Sequence, residues 1–316
     1  MKHRIVWASC LFLLIAPFVA FGDERPDWSD DLRAAPADPQ DDPMSLQGSG
    51  TQTSSGSSGF WIFPEPAPLE GRIATDRPAF SDTAALVPRG RFQIEGGYQF
   101  TYDRESKRRI RDHTFPELAF RTGLTDWLEF RAKWNGASLT ELQDQITSRG
   151  GRRVTKEWHD DSGTDLNLGF KMPVLRDKEG LPNVSVITSL NVPTGGDTKS
   201  ANNVVPEVKF PWNYAITNEF TAYGSYFARV NDGSNGQFFQ NGVTLAGAYQ
   251  VHDRVKLYLE YLGLYPGNRS EDCAHILSGG PIIFLTDNLS MDLRASVGLN
   301  EQAPDFQCSV GFGIRF

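Results

Sequence analysis

Long hydrophobic runs are absent from the chain after its first 22 residues, where no apolar stretch approaches the ~18 residues that a membrane-spanning helix needs. A basic surplus is also absent: 31 Lys and Arg face 39 Asp and Glu, and the net charge of -8 argues against a general nucleic-acid binder. With 3 cysteines in 316 residues, a disulfide scaffold is excluded. A helical membrane protein is excluded too. A membrane β-barrel is not, because its strands alternate polar and apolar residues.

Residues 1–22 predict a secretory signal peptide. A basic start at Lys2 and Arg4 precedes an apolar stretch from Ile5 to Val19, and the small residues Ala20 and Gly22 fit a cleavage site. A membrane anchor is the alternative, which the short apolar run disfavours. The chain is therefore expected to be exported.

Two segments precede the body of the chain. Residues 23–59 are rich in Ser, Gly, Pro and Asp and bury too little apolar surface to repay their ordering, which predicts a disordered linker. Residues 60–90 combine prolines with aromatics such as Phe63 and Phe80. They are interpreted either as a lead-in to the first strand or as a periplasmic plug.

Strict alternation of polar and apolar residues dominates from Arg91 onward. In 91–103 it continues for more than ten residues, which is long for a soluble strand and suits a tilted membrane strand of ~9–11 residues. The pattern predicts an all-β fold, an antiparallel transmembrane β-barrel of about 12 strands within a range of 10–14, over residues 91–316. The predicted strands are 91–103, 113–122, 127–135, 163–172, 184–193, 204–212, 219–230, 239–250, 254–263, 275–285, 289–300 and 307–316.

The connections alternate in length, with short turns after every second strand and longer loops between, except that residues 176–182 form a longer turn on the short-turn side. Short periplasmic turns and longer extracellular loops are typical of outer-membrane barrels, and both termini then lie on the periplasmic side. Aromatics near strand ends, including Trp127, Tyr249 and Phe316, suit interfacial girdles. A soluble β-sandwich is the alternative and explains these aromatics less well.

The stretch ATDRPAFSDTAALVPRGRFQIEGGYQF resembles the opening of the outer-membrane barrel family named for a MetA pathway of phenol degradation. The similarity rests on Thr75–Pro78, on Pro88, Gly90 and Glu95, and on blocks such as SLNVPTGG and SVGFGIRF, and it covers about 73–316. The resemblance implies a porin-like transporter barrel for small molecules, aromatic or hydrophobic ones among them.

If the large apolar residues face lipid, the opposite face of each strand lines the lumen. The charged residues of that face number seven acids and eight bases, so a nearly neutral interior is expected, serving either as a polar solute path or as a salt-bridge network that fills a narrow barrel. The lumen-lining candidates are Glu95, Glu117, Arg121, Glu129, Arg131, Lys133, Asp165, Lys171, Glu207, Lys209, Lys256, Glu260, Asp292, Arg294 and Arg315.

Asp76 and Arg77 are the plug candidates, expected to pair with lumen charges if residues 60–90 enter the barrel. Glu117, Arg121, Glu129 and Arg131 flank one tight turn and form the densest predicted cluster. Cys273 and Cys308 lie near one rim, and the sequence leaves open whether they pair.

Catalysis is not expected. His275 and Ser278 are three residues apart and face opposite sides of a strand, no G-x-S-x-G motif occurs, and metal-ligand spacing is absent, so no metal or cofactor is predicted. The sequence thus predicts an outer-membrane channel or transporter with outer-membrane lipids, the barrel-assembly machinery and a small-molecule solute as partners. A lipid hydrolase and a non-conducting structural barrel are the alternatives.

Overall fold

The computed structural model of the protein describes residues 66–105, 108–147, 153–233, 236–267 and 272–316. The expected signal peptide and linker lie outside these residues. The regular structure of the described chain consists of fourteen β-strands: β1 Phe92–Glu105, β2 Arg108–Thr125, β3 Leu128–Trp134, β4 Ala137–Thr147, β5 Arg153–Gly163, β6 Leu166–Leu175, β7 Asn183–Val192, β8 Val205–Ala215, β9 Phe220–Gly233, β10 Gly236–His252, β11 Val255–Pro266, β12 Ala274–Thr286, β13 Leu289–Gly298 and β14 Phe306–Arg315.

Twelve of the strands close into a ring of antiparallel neighbours. β1 pairs with both β14 and β2, β3 pairs with β6, and the remaining strands pair with their neighbours in sequence, so no edge is left open around the barrel. Closure gives each of these twelve strands a hydrogen-bonded neighbour on both sides, which is the condition for crossing a bilayer with strands. The predicted antiparallel barrel of about twelve strands is confirmed.

β4 and β5 form a hairpin that extends the wall beyond the ring. β2 is long enough to pair with β3 through Leu118–Thr125 and with β4 through Arg108–Phe115. The strand is interrupted between β3 and β4 at Gly136. The φ of this residue is 79°, a value that glycine adopts without strain. Its carbonyl accepts a hydrogen bond from the N–H of Thr164 at 3.0 Å, in the matching break between β5 and β6.

Two of the long loops expected from the sequence are ordered strand instead. β1 and β2 run through most of the charged stretch 104–113, and β4 and β5 occupy much of 136–162. The many charged residues predict loops in both stretches. Strands are possible there because charged side chains pair across neighbouring strands, as Arg111 of β2 does with Glu141 of β4 at 3.6 Å. The connections 193–204, 267–273 and 299–305 lie on one side of the barrel, which is called the loop end. The opposite side is called the short-turn end, and residues 176–182 are its one long connection.

The two faces of each strand differ in chemistry as a membrane barrel requires. Large apolar side chains such as Leu245, Leu259 and Phe312 are exposed on the outside, and most of the fully buried side chains are polar or charged. The facing of β9 and β10 could not be read from the sequence. Here Ser225 and Thr244 point inward while Tyr226 and Leu245 point outward. The described residues contain no helix long and apolar enough to cross a membrane.

The outer belt gives a first prediction. Leu259→Arg, in the middle of β11, should destabilise the folded barrel by about 2–4 kcal/mol, because it places a charge on the lipid face near the bilayer midplane. Leu181→Arg is the matched control, since Leu181 is similarly exposed (50% against 60%) but lies in the turn between β6 and β7. Equilibrium unfolding in lipid vesicles measures both changes. Equal effects would contradict the lipid-facing assignment of Leu259.

Candidate functional site

Residues 66–90, called the inner segment here, enter the barrel from the short-turn end and return to it. The Ala67 N–H donates a hydrogen bond to the Arg89 carbonyl at 2.9 Å, which ties the two ends of the segment together. The Ile73 N–H donates to the carbonyl of Asp287 at 2.7 Å, in the turn between β12 and β13. The segment is therefore a loop anchored at both ends on one rim, with its apex inside the lumen.

The inner segment reaches the wall on every side. Its hydrogen bonds and ion pairs involve ten barrel strands, through Gln93, Glu117, Arg131, Lys171, Ser185, Lys209, Thr244, Glu260, Arg294 and Arg315. The two other strands contribute Phe227 and Ile276 to an apolar cluster against which Phe80 packs. A segment that contacts the whole ring from within occupies the lumen.

Two carboxylates of the inner segment face the basic side of the lumen. Asp76 and Asp82 both accept hydrogen bonds from Nη2 of Arg131, Asp82 at 2.6 Å, and both pair with Lys133. Lys209 Nζ lies 3.1 Å from Asp82 Oδ2. These contacts come from β3 and β8, whose alternation points the basic side chains inward.

The arginine of the inner segment faces the acidic side. Arg77 pairs with Glu117 of β2, and its Nη2 lies 3.4 Å from Oδ1 of Asp292 on β13. Glycine makes room for it: a Cβ at Gly97 would lie 2.5 Å from Arg77 Cζ, and one at Gly311 would collide with the same guanidinium. The wall is thus shaped around this side chain.

Backbone groups of the inner segment are also held by buried charges. The Asp76 N–H donates to Glu95 Oε2 at 2.9 Å, and the Ser81 N–H donates to Glu260 Oε1 at 2.8 Å. In the other direction, Lys171 Nζ donates to the carbonyls of Thr83 and Ala85 at 2.7 and 3.0 Å. Peptide groups inside a lumen need such partners because water is largely displaced.

The loop end is organised by a second set of polar contacts. Asp165 accepts hydrogen bonds from the N–H groups of Gly195 and Ala201, both at 2.9 Å, and so fixes the β7–β8 connection. Burial raises the pKa of the Asp165 carboxyl, but these hydrogen bonds outweigh it and lower the pKa below its usual value. Lys199 of the same connection lies 3.3 Å from Asp112 on β2. The connection therefore folds toward the lumen.

Most of the predicted lumen residues lie on inward-facing strand positions, whereas Asp165 lies between strands and organises a loop. The predicted cluster of four divides, since Arg121, Glu129 and Arg131 come together around Asp76 while Glu117 pairs with Arg77. Two more predicted residues lie apart from it: Lys256 faces the Phe284 ring and Arg315 donates to the Gly71 carbonyl at 2.7 Å.

Several contributors were missed by the sequence analysis. Asp82 and Ser81 follow Asp76 closely and also contact the wall, Asp82 through three ion pairs and Ser81 through hydrogen bonds with Glu260. Gly97 and Gly311 stood on the polar face of their strands, yet glycine among lumen residues gives no hint of what fills the space it leaves. Their role becomes clear only from the position of Arg77 in the inner segment.

The residues weighed for catalysis are engaged elsewhere. His275 Nδ1 lies 2.7 Å from the Tyr261 hydroxyl on the outer face, while Ser278 is buried inside, 3.5 Å from Glu260. Cys273 and Cys308 are free thiols. Within the described ranges, no group of three or more His, Cys, Asp or Glu side chains is placed to hold a metal ion.

The paired charges predict that Arg77→Ala loosens the inner segment. Removing one partner of a buried ion pair costs ~3–5 kcal/mol, so the undocked population should rise at least about tenfold. The measurement is the rate of maleimide labelling at an Ala84→Cys reporter, buried in the docked state, in a background of Cys273→Ser and Cys308→Ser. Arg176→Ala is the control, because Arg176 is exposed and pairs with the exposed Asp177. An unchanged rate in Arg77→Ala would contradict the role given to this pair.

Solved structures that match this chain share little sequence with it. An outer-membrane channel from Pseudomonas putida F1 has 14% identity and a TM-score of 0.57, over 76% of this chain and 99% of that one. The translocator domain of the autotransporter NalP from Neisseria meningitidis has 11% identity and a TM-score of 0.47, over 72% and 89%. The KdgM porin has 7% identity and a TM-score of 0.45, over 71% and 99%.

No curated protein matches the chain by sequence. A family model does match, over residues 75–316, which include Asp76, Arg77, Asp82 and all fourteen strands. The protein is therefore an outer-membrane β-barrel and belongs to the family described as "Putative MetA-pathway of phenol degradation".

Proposed function

We propose that the protein is an outer-membrane channel for small solutes, that the inner segment is its plug, and that the lumen opens when this segment withdraws toward the periplasm. The observation that carries the proposal is the distribution of ion pairs. Among the described residues, nine ion pairs join Asp76, Arg77 and Asp82 to wall side chains, whereas five join interior wall side chains to one another. The lumen is thus closed mainly by a separate loop, and this loop could withdraw while the ion pairs within the wall stay in place.

A permanently sealed structural barrel is the second candidate, and the dense pairing of lumen charges favours it. The two candidates differ in the wall that would remain. Lys133 pairs only with Asp76 and Asp82 among the ion pairs of the described chain, so it serves the inner segment rather than the wall. The space that Gly97 and Gly311 leave for Arg77 would likewise have no purpose in a barrel that is filled by the side chains of its own wall.

Solute passage would meet both charged and apolar surface. Phe227, Leu262 and Ile276 form an apolar patch beside Phe80, and the Arg294 guanidinium lies 4.5 Å from the centre of the Phe80 ring. Small solutes, aromatic ones included, are compatible with such a lining. Hydrolysis is not part of the proposal, because His275 and Ser278 lie on opposite faces of β12.

A disulfide can test the gate within one molecule. The hydroxyl oxygens of Ser81 and Thr244 lie 2.6 Å apart, so Ser81→Cys with Thr244→Cys should form a bond that pins the inner segment to β10. The expected result in planar bilayers is no conductance when oxidised and channel openings after reduction. Asp76→Asn and Asp82→Asn, added to the reduced protein, should increase the time spent open.

The control carries Ser81→Cys alone, which cannot form this bond and should not respond to reduction. All variants carry Cys273→Ser and Cys308→Ser and must show heat-modifiable gel migration as evidence of folding. Silence of the reduced protein with the two Asp substitutions would overturn the channel and favour a sealed barrel. Equal conductance before and after reduction would show that the inner segment is not the gate.

A further inference from the structure

Five cations from four strands surround the two carboxylates of the inner segment. They form what is called here the basic pocket, which consists of Arg121, Arg131, Lys133, Lys171 and Lys209. The pocket belongs to the wall, whereas the carboxylates that occupy it belong to a loop. The five cations therefore form an anion site in the wall that a separate part of the chain occupies.

The charge balance defines what a replacement must carry. The wall carboxylates paired with these five cations are Glu95, Glu129 and Glu207, so withdrawal of Asp76 and Asp82 leaves five positive charges against three negative ones. An excess of two buried positive charges is costly inside a lumen. A ligand with two negative charges restores neutrality.

The spacing defines its shape. Asp76 and Asp82 share one donor atom, Nη2 of Arg131, and share Lys133 Nζ as well. Their carboxylates therefore lie side by side, as the two carboxylates of a short dicarboxylic acid do. Lys209 Nζ lies 3.1 Å from Oδ2 of Asp82, which adds a cation from β8 to the pocket.

The pocket also has unused capacity. Arg131 is 3% exposed, yet its Nη1, which lies 3.6 Å from Oε1 of Glu129, makes no hydrogen bond among the described residues. A cavity of about 10 Å³ lies beside Asp82, and its border includes Arg131, Lys133, Lys209 and the wall carboxylate Glu207. That volume suits about one water molecule. A ligand could make a contact here that the inner segment does not.

We propose that the basic pocket binds short dicarboxylates, which compete with Asp76 and Asp82 and thereby favour the open lumen. The inference deepens the proposed channel function, on which it rests for the consequence that such anions are the preferred solutes. Binding itself requires only that the inner segment can leave the pocket, so binding and conduction can be tested separately.

Succinate is the probe for binding. The chain carries the Ala84→Cys reporter with Cys273→Ser and Cys308→Ser, and maleimide labelling is followed with succinate, acetate, neutral succinamide or inorganic sulfate. Competition should accelerate labelling by about tenfold at a succinate concentration ten times its Kd. Acetate and succinamide should not match it. An equal effect of sulfate would show that the pocket accepts any small dianion, and it would overturn the assignment to dicarboxylates.

Paired variants locate the site. In the double variant Lys133→Gln with Lys209→Gln, the labelling rate should no longer depend on succinate. The basal labelling rate of this variant should rise, because Asp82 loses two ion-pair partners. Arg229→Gln is the matched control, since Arg229 is an interior arginine of β9 that hydrogen-bonds with Gln240 at 2.6 and 2.8 Å, outside the pocket. It should keep the full response. Loss of the response in both would contradict a localised site.

Conductance separates this inference from the channel proposal. In the folded full-length Asp76→Asn and Asp82→Asn variant, reversal potentials should favour anions, and succinate should block chloride current. Current without anion preference or succinate block would leave the channel standing and overturn the dicarboxylate site. Succinate-dependent labelling without current would keep the site and overturn the channel. Absence of both responses would overturn both.

Discussion

A charge enclosed in a barrel must be paired, and this constraint shapes the interior of the protein. The desolvation of an ionised side chain is repaid only when an opposite charge or several hydrogen bonds lie within reach. Arg131 illustrates the solution, because a single buried guanidinium nitrogen serves Asp76 and Asp82 together. The wall supplies cations on one side and carboxylates on the other, and the inner segment presents the complementary group to each.

Barrel and inner segment are consequently one electrostatic unit although they are separate pieces of chain. Arg77 fills space that glycines of β1 and β14 leave free, and Arg121 holds the Ala85 carbonyl at 3.0 Å while pairing with Glu129 of the wall. Such shared residues couple the order of the loop to the order of the wall. Without the inner segment, wall side chains such as Lys133 and Glu117 would lose the opposite charges with which they pair.

The sequence predicted the barrel well because alternation is a local property. A strand with one face toward lipid must repeat every second residue, and the sequence contains twelve candidate repeats of this kind. The partnerships could not be predicted, because Asp82 and Lys209 are far apart in the chain and meet only through closure of the ring. The β4–β5 hairpin was missed for a related reason, since its residues are charged on both faces and so show little alternation.

The tie between Ala67 and Arg89 has a consequence for affinity. A loop held at both ends cannot diffuse away after it leaves the pocket, so rebinding is intramolecular and its strength is set by an effective concentration, which for short flexible tethers is on the order of millimolar. Any solute that competes for the lumen does so against this fixed local concentration. Under the proposed gating, solute occupancy of the barrel would therefore follow a simple competition curve, with a midpoint shifted to higher solute concentration by the tethered loop.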